Sequence, residues 1–354
     1  MNIYSTVRVN VGEGYDVTIG QGIVDGCGGI LASLLATRRV AVVTDSNVQP
    51  LYLGRVRASL EAAGFAVTSF AFEAGEQSKN ISTFGSILEF FARSGLTRKD
   101  CAIALGGGVV GDMTGFAAGC YMRGIDYIQM PTTMLAAIDS SVGGKTGIDL
   151  DAGKNLAGLF IQPKAVLCDT DCLATLPAEV YADGLAEAVK TAILGDAELF
   201  AMFEDGTACA NPQAVIDRCV RYKASVVEQD EKESGLRKLL NLGHTPAHAI
   251  EKLSGYTIPH GRAVAMGLGI MARASAARGN CTAQCAARIE AALKNCALPA
   301  GTAYSAEEMS VIAENDKKRT AAGVSVVLIR DIGDCFFEEV SLEDMSGLFA
   351  DGME

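Results

Sequence analysis

A short apolar run at residues 101–105 leads directly into three glycines, Gly106, Gly107 and Gly108. Val109-Val110-Gly111-Asp112 follow and complete a G-x-G-x-x-G spacing, and residues 113–121 have a helical pattern. A strand, a tight turn and a helix in this order are typical of a sheet with parallel strands and crossover helices. Glycine amides at such a turn can approach a pyrophosphate, whose charge the helix N-terminus favours, although a tight turn without a ligand has the same pattern.

The rest of the first half supports a parallel sheet. Strand-like runs at residues 39–44, 67–72, 101–105 and 127–130 alternate with helical patterns at residues 53–64 and 83–95. The glycine turn lies in the middle of this region and not in its first βα unit, so we predict a Rossmann-like domain rather than an ordinary Rossmann fold. Asp45, just after a predicted strand, could bind ribose hydroxyls or serve as a turn or cap residue.

From about residue 176 the pattern changes to long, alanine-rich helices. The predicted helices cover residues 177–203, 212–230, 239–253, 263–278 and 282–296, and residues 324–329 are one short strand candidate. We therefore predict an α/β protein with two domains. Residues 1–174 would form the parallel-sheet domain, and residues 175–354 an all-α domain.

Composition excludes several classes of protein. The net charge of −12 disfavours nucleic acid as a partner, because phosphate binding needs a basic surface. No apolar run approaches the roughly 20 residues that a membrane-spanning helix needs. Residues 1–20 alternate like strands and do not resemble a signal peptide, so the eleven cysteines are expected to be reduced thiols. These features predict a cytoplasmic enzyme that does not associate with membranes.

The chain has three histidines, and all three fall within seventeen positions. His244 and His248 are four residues apart, and they share a helix face if Pro246 lies in the first turn. His260 follows a proline and opens the next predicted helix. A catalytic zinc takes three protein ligands, so the three histidines form one possible set. Glu187, a carboxylate among apolar residues, is an acidic alternative ligand, and histidines packed in a core without metal would also give this pattern.

Cations accompany the glycine-rich segments of this acidic chain. Residues 139–147, DSSVGGKTG, resemble a phosphate cradle that ends near Lys145, although the spacing is not that of a Walker A loop. Further cations are Lys154, Lys190, Lys223, Arg237 and the run at residues 317–319. Together they predict an anionic small molecule as ligand.

A series of motifs, taken in order, resembles the 3-dehydroquinate synthases of the sugar-phosphate cyclase superfamily. The motifs are GGGVVGD (106–112), YMRG (121–124), PTT (131–133), DSSVGGKT (139–146), GKN (153–155), AEAVK (186–190), NLGHTPAHAIE (241–251) and HG (260–261). The resemblance covers roughly residues 15–335. It implies a dehydroquinate synthase-like fold in which residues 1–174 bind NAD and residues 175–354 bind metal and substrate. It also implies NAD and Zn²⁺ or Co²⁺ as cofactors, a sugar-acid phosphate as substrate, and a homodimer.

The resemblance also implies roles for individual residues. The metal ligands would be Glu187, His244 and His260. NAD would be bound by Asp45, Glu76, Lys79, Gly107, Gly108, Asp112, Thr132, Thr133, Lys154 and Thr175. The substrate would be bound by Arg123, Asp139, Lys145, Asn155, Lys190, Lys223, Arg237, Asn241, His248 and Lys318, with Arg123 coming from the neighbouring subunit. The catalytic residues would be His248, Glu233, Lys145, Asn155 and Lys190, with His248 relaying a proton and not binding the metal.

The reaction that this family implies converts 3-deoxy-D-arabino-heptulosonate 7-phosphate to 3-dehydroquinate and phosphate in the shikimate pathway of aromatic amino acid and chorismate biosynthesis. It proceeds by transient NAD oxidation, phosphate elimination, reduction and intramolecular aldol closure, so the enzyme is a carbon–oxygen lyase. The alternatives are a sister cyclase of the 2-deoxy-scyllo-inosose or valiolone type, a metal-dependent glycerol or alcohol dehydrogenase, and a non-catalytic regulator. Two departures from the family pattern are Pro246-Ala247 and Arg262 after the HG pair.

Overall fold

The computed structural model describes residues 1–313, 319–320 and 323–353. The strands are β1 (Asn2–Val9), β2 (Tyr15–Gln21), β3 (Arg39–Asp45), β4 (Ala66–Phe72), β5 (Cys101–Gly106), β6 (Asp126–Pro131), β7 (Lys145–Leu150), β8 (Gly153–Phe160), β9 (Ala165–Asp169), β10 (Arg319–Thr320), β11 (Gly323–Asp331) and β12 (Asp334–Val340). The helices are α1 (Ile23–Leu34), α2 (Gly54–Ala62), α3 (Ile81–Arg93), α4 (Gly108–Cys120), α5 (Ala178–Gly195), α6 (Ala197–Glu204), α7 (Pro212–Gln229), α8 (His244–Leu253), α9 (His260–Ala277), α10 (Ala283–Asn295), α11 (Ala306–Ala313) and α12 (Leu342–Asp351).

The chain divides into two compact units. The first comprises Met1–Leu176 and Lys223–Glu228, and the second comprises Pro177–Tyr222 and Gln229–Glu354. The division after Leu176 lies two residues beyond the boundary expected from the sequence. Across the described part of the chain, no helix combines the length and apolarity needed to cross a membrane.

A seven-stranded sheet forms the centre of the first unit, in the order β1-β2-β9-β6-β5-β3-β4. Six of its strands are parallel, and β1 pairs antiparallel with β2 at one edge. Alternate residues of β3 enter different cores: Val40 and Val42 pack with α1 and α2, whereas Ala41 and Val43 pack with α3 and α4. This period of two is the expected consequence of a sheet covered on both faces. The predicted α/β fold is therefore confirmed.

The direction in which successive strands are added to the sheet reverses between β3 and β5. β3 is followed along the chain by β4 on one side, and β5 by β6 on the other, while β3 and β5 pair directly with Val43 opposite Ala104. Such a point in a parallel sheet leaves a crevice at the carboxyl ends of the strands, where ligands bind in open α/β folds. Asp45 ends β3 and Gly106 ends β5, so both lie at this edge.

The segment at residues 145–160 differs from a simple phosphate loop. It forms an antiparallel hairpin of β7 and β8, in which Thr146 pairs with Leu159 and Gly147 with Gly158. The sequence did not indicate these strands because glycines lower the β-propensity of the segment. The glycines serve close contact instead, since a Cβ on Gly158 would stand 2.0 Å from the Thr146 carbonyl oxygen.

The second unit is mainly helical, as expected, but an all-α description omits a three-stranded sheet of β10, β11 and β12. The predicted strand at residues 324–329 is part of β11. The single helix predicted over residues 177–203 is two helices, because Asp196 interrupts it and caps α6 by accepting a hydrogen bond from Leu199 N at 2.9 Å. The helix predicted from residue 239 begins only at His244, after Gly243 adopts a φ of 76°.

Candidate active site

The first group of candidate residues lies where β5 meets α4. Gly107 precedes α4 and Gly108 is its first residue, so the unpaired backbone amides of the first turn of α4 lie next to the end of β5. A Cβ on Gly107 would stand 3.2 Å from Thr133 Cγ2, and one on Gly108 would stand 3.2 Å from Ser140 Oγ. Side chains would therefore crowd a turn that glycine leaves open. This arrangement fits a dinucleotide pyrophosphate at the helix N-terminus.

Three other predicted NAD-binding residues surround this edge or its neighbouring loops. Asp45 accepts hydrogen bonds from Asn47 N and Val48 N at 2.9 Å each, so its Oδ1 caps the turn that follows β3. Thr132 N donates to Gly106 O at 2.9 Å, and the buried Thr132 hydroxyl has no hydrogen-bond partner among the described residues. Thr175 Oγ1 donates to Cys172 O at 3.0 Å.

A polar cluster around the buried Lys79 joins α4 to the β7–β8 hairpin. Lys79 donates to Asp112 Oδ2 and to Asn155 Oδ1, both at 2.6 Å. Asn155 has a φ of 54°, and its backbone N–H donates to Asp149 Oδ1 at 2.7 Å. Burial raises the pKa of Asp112 above its ordinary value, and the Lys79 ammonium only partly opposes this effect. Close by in sequence, Lys154 Nζ lies 3.9 Å from Glu76 Oε1.

The predicted substrate-binding residues of the first unit are less concentrated. Lys223 donates to both the carbonyl oxygen and Oδ1 of Asp139, at 2.6 and 2.7 Å. Lys145 is the exposed first residue of β7. Arg123 is exposed and has a φ of 67°. A positive φ on a residue other than glycine costs about 1–3 kcal/mol and is concentrated at functional sites. The positive φ of Arg123 and Asn155 therefore supports a functional role for both residues, and the sequence does not reveal it.

In the second unit, one carboxylate and two imidazoles converge. Glu187 lies on α5 with only 2% of its surface exposed, and its Oε1 is 3.5 Å from His244 Nε2 and 3.3 Å from His260 Nε2. One potential ligand atom from each of the three residues lies within 4.8 Å of the other two. Two imidazole nitrogens and a carboxylate oxygen are a donor set used for catalytic zinc, which keeps a fourth position open.

Glycines bring the three backbone segments together. A Cβ on Gly261 would stand 2.1 Å from the Asp183 carbonyl oxygen, one turn before Glu187 on α5. A Cβ on Gly267 would stand 2.0 Å from the Gly243 carbonyl oxygen, beside His244. α9 can therefore contact both segments only because it lacks side chains at these two positions. This close packing sets where His260 lies relative to the other two residues.

The charges of the cluster depend on burial and on Lys190, which forms an ion pair with Glu187 Oε2. Burial alone would raise the pKa of Glu187, but Lys190, His244 and His260 hold it well below its ordinary value. Burial and Lys190 lower the pKa of His244 far below 6.5, so this ring is neutral. Burial lowers the pKa of His260, yet the carboxylates of Glu187 and Glu251 outweigh it and raise that pKa to about 10.

His248 lies beside this cluster but outside it. Its ring centroid is 5.7 Å from that of His244, and the two rings meet edge to face on α8. Among the described residues, the group close enough to hold a metal contains Glu187 in place of His248. The spacing of the histidines therefore placed two rings on one helix face, but it could not indicate which of them meets a third ligand.

The remaining described candidates of the second unit are Asn241, Glu233 and Arg237. Asn241 Nδ2 donates to Glu233 Oε1 at 2.7 Å, and Glu233 has a φ of 59°. Arg237, buried to 2% exposure, donates to the Glu231 carbonyl oxygen at 2.5 Å. Lys318 lies outside the described residues. Sequence reasoning gave no role to Glu251 or Asp183, although Glu251 follows His244 by seven residues and His248 by three, a spacing that places all three on one face.

Comparison with known proteins agrees with these features. The family model "3-dehydroquinate synthase N-terminal" matches residues 69–183, and "3-dehydroquinate synthase C-terminal" matches residues 184–319. A 3-dehydroquinate synthase of Geobacter metallireducens is 45% identical over 350 residues, which cover 96% of this chain and 97% of that protein.

Two solved structures have the same fold. The 2-epi-5-epi-valiolone synthase ValA of Streptomyces hygroscopicus, with NAD⁺ and Zn²⁺ bound, is 27% identical with a TM-score of 0.87, and 96% of each chain is covered. A 2-deoxy-scyllo-inosose synthase complexed with carbaglucose-6-phosphate, NAD⁺ and Co²⁺ is 24% identical with a TM-score of 0.86, covering 99% of this chain and all of that one. The family models and the near full-length identity confirm the resemblance inferred from the motifs: the chain belongs to the 3-dehydroquinate synthase family.

Proposed function

We propose that the chain is a 3-dehydroquinate synthase, which converts 3-deoxy-D-arabino-heptulosonate 7-phosphate to 3-dehydroquinate and inorganic phosphate. The observation that carries the proposal is the cluster of His244 and His260 around the buried carboxylate of Glu187, in a chain 45% identical to an enzyme of that name from Geobacter metallireducens. In the same proposal, the product enters the shikimate pathway and the enzyme acts as a carbon–oxygen lyase.

The metal would be held by Glu187, His244 and His260. Their donor set suits Zn²⁺, with Co²⁺ as an alternative, and the low pKa of Glu187 and the neutral ring of His244 are the ligand states that a divalent cation requires. When bound, the metal would supply Lewis acidity toward a substrate hydroxyl. ValA, 27% identical to this chain, has Zn²⁺ and NAD⁺ bound.

NAD would be held at the carboxyl edge of the parallel sheet. The open turn at Gly107 and Gly108, the buried hydroxyl of Thr132, and the nearby Thr133, Asp112 and Asp45 support this position. Lys79, Glu76, Lys154 and Thr175 complete the proposed set. When bound, NAD would supply a reversible hydride acceptor, so that the net reaction consumes none.

The chain's own residues would bind and orient a doubly anionic substrate. Lys145, Lys190, Lys223, Arg237 and, outside the described residues, Lys318 would neutralise its carboxylate and phosphate, and Asp139, Asn155 and Asn241 would accept or donate hydrogen bonds to it. Charge placed in advance around departing phosphate is commonly a large part of the rate enhancement. Lys190 and Arg237 are already buried, which strengthens their interaction with an anion.

Proton handling would fall to His248 and Glu233. His248 lies beside His244 without belonging to the metal group, and this position next to a proposed ligand supports a role in holding or moving a proton. Glu233 contacts Asn241, which is itself a proposed substrate ligand. General acid–base residues of this kind contribute about 10²–10⁴-fold to a rate.

A sister cyclase is the second candidate, because ValA has the same fold with a TM-score of 0.87. The higher identity to a 3-dehydroquinate synthase, 45% against 27%, favours the first. A metal-dependent dehydrogenase is a third possibility that one assay separates from both.

The experiment follows inorganic phosphate and NADH absorbance together, with Zn²⁺, catalytic NAD⁺ and the heptulosonate phosphate. Many phosphates released per NAD⁺ without NADH accumulation are expected. NADH formed one-for-one with turnover would indicate a dehydrogenase and contradict the proposal. Turnover only with sedoheptulose 7-phosphate or glucose 6-phosphate would assign the chain to a sister cyclase.

We further propose a homodimer in which Arg123 reaches the substrate of the neighbouring subunit. Apolar side chains on β8 are exposed in the single chain, which supports a subunit interface at this strand. Leu156, Leu159 and Phe160 are 36%, 39% and 47% exposed. Light scattering after size exclusion should give twice the 36.9 kDa chain mass, and a monomer would contradict this assembly. The cytoplasm remains our predicted compartment.

A further inference from the structure

Glu251 is a buried carboxylate on the helix that carries His244 and His248. It lies on α8 and is 4% exposed. Its Oε1 is 3.5 Å from Nδ1 of His260, the first residue of α9. None of the roles described above for the metal, the cofactor or the substrate uses this carboxylate.

The ring of His260 lies between two carboxylates. Its Nε2 atom is 3.3 Å from Glu187 Oε1, inside the proposed metal cluster, and its Nδ1 atom faces Glu251 on the other side. A histidine that binds a metal through Nε2 is neutral, with one N–H and one lone pair. An acceptor at Nδ1 therefore favours the tautomer whose proton is on Nδ1 and whose lone pair is on Nε2.

His244 has the same arrangement with a different outer acceptor. Its Nε2 atom is 3.5 Å from Glu187 Oε1, while its Nδ1 atom is 3.2 Å from the Leu242 carbonyl oxygen. Both rings thus direct Nε2 at Glu187 and Nδ1 at an oxygen outside the cluster. For His244 the backbone supplies that oxygen, whereas His260 opens its helix after Pro259 and receives it from a side chain on α8.

We propose that Glu251 is a positioning residue for the metal site. It holds the ring orientation and the Nδ1–H tautomer of His260, and so keeps Nε2 available as a ligand. Outer partners of this kind fix ligand histidines in metalloproteins, and their loss weakens metal binding by about 10- to 100-fold. The inference rests on the proposed metal site. Glu251 itself is not a ligand, because the group close enough to hold an ion among the described residues contains only Glu187, His244 and His260.

The test measures zinc affinity of the metal-free full chain by competition with a chromophoric chelator. Glu251→Leu removes the acceptor, and we expect about 10- to 100-fold weaker binding. Glu251→Gln keeps an acceptor oxygen without the charge and should fall between that variant and the unaltered chain. Glu290→Gln is the control, since Glu290 pairs with Arg273 in the same unit and touches none of the three ligands.

Cobalt absorption gives a second measurement that a general loss of stability would not reproduce. Co²⁺-loaded Glu251→Gln should show altered ligand-field bands, because a neutral amide accepts a weaker hydrogen bond from Nδ1 than a carboxylate does and fixes the His260 ring less firmly, whereas Glu290→Gln should match the unaltered chain. If Glu251→Leu does not fold, Glu251→Gln decides the question. Unchanged zinc affinity and unchanged cobalt bands in Glu251→Gln, or unchanged affinity in a folded Glu251→Leu, would overturn the proposal. Failure of the unaltered chain to bind zinc is a different result, and it would overturn the proposed metal site together with this inference.

Discussion

Lys79 donates a 2.6 Å hydrogen bond to Asp112 Oδ2 from an almost fully buried position. The same ammonium donates to Asn155, so one cation joins α4 to the β7–β8 hairpin. Its side chain is 6% exposed and that of Asp112 is 18% exposed. A charge pair in this environment stabilises the fold only while both members are present, because either one alone would be a buried, unpaired charge.

Replacing Lys79 with Met should therefore destabilise the protein by about 3–5 kcal/mol, since Asp112 would lose its counter-ion. Urea-induced unfolding measures the change. The control is Arg8→Met, which removes an exposed pair with Asp16 in the same unit, with side chains 51% and 52% exposed. It should cost less than about 1 kcal/mol. Equal effects of the two substitutions would contradict the importance of the buried pair.

Gly261→Ala should disturb the metal cluster without changing any proposed ligand. The added methyl group would stand 2.1 Å from the Asp183 carbonyl oxygen, so α9 must move away from α5 and carry His260 with it. We expect a loss of about 1–3 kcal/mol in stability and weaker zinc binding, measured by unfolding and by chelator competition. Gly85→Ala is the control, because its Cβ meets nothing within 4 Å on α3. That change should stabilise the chain by about 0.5–1 kcal/mol. Zinc affinity of Gly261→Ala equal to that of the unaltered chain would argue against this packing role.

The three histidines should separate into two classes when each is replaced with Ala. His244→Ala and His260→Ala should lose bound zinc, since each removes one of three ligand atoms that lie within 4.8 Å of each other. His248→Ala should retain one zinc per chain and lower kcat by about 10²–10⁴-fold. Metal content by atomic absorption, together with phosphate release, distinguishes these outcomes. Loss of zinc from His248→Ala would indicate that His248 is a metal ligand, as in the alternative set of three histidines.

Asp100 should make stability depend on pH in the acid range. Burial raises its pKa, but hydrogen bonds from Thr37 Oγ1 (2.6 Å), Thr97 N (2.7 Å) and Thr97 Oγ1 (2.8 Å) outweigh burial and lower the pKa below 3.8. Because the folded pKa is lower than the unfolded one, this carboxylate stabilises the fold above pH 3.8, and the contribution is lost as pH falls through the folded value.

Asp100→Asn should consequently be less stable than the unaltered chain at about pH 6, by about 1–3 kcal/mol. The difference in thermal unfolding midpoint between Asp100→Asn and the unaltered chain should narrow as the pH falls below about 4. For Thr37→Val, which removes one of the donors, the difference from the unaltered chain should narrow less over the same pH range. A difference that stays constant between pH 6 and pH 3 would show that the carboxylate charge is not responsible.

The parallel sheet was predictable because its signals are local. The apolar runs that became β3, β4, β5 and β6 are short, β-branched and bounded by turn residues, and the strands lie within two residues of their predicted ends. The hairpin of β7 and β8 was missed because its glycines serve contacts between strands, which no local pattern reveals. α4 begins at Gly108, five residues earlier than its pattern indicated, because packing outweighs the low helix propensity of glycine.

By itself the sequence determined the α/β class, the glycine turn at the end of β5 and the shared helix face of His244 and His248, since each depends on residue order along short segments. It also determined the family, through a series of motifs in order along most of the chain. The family resemblance implied the set of Glu187, His244 and His260, but only the tertiary structure shows that these side chains meet. Glu187 comes 57 residues before His244 and 73 before His260, and the three converge because Gly261 and Gly267 let α9 contact two other backbone segments. The same packing set Glu251 against His260. Side chains far apart in sequence become neighbours through backbone contacts, and no periodicity within a single helix encodes those contacts.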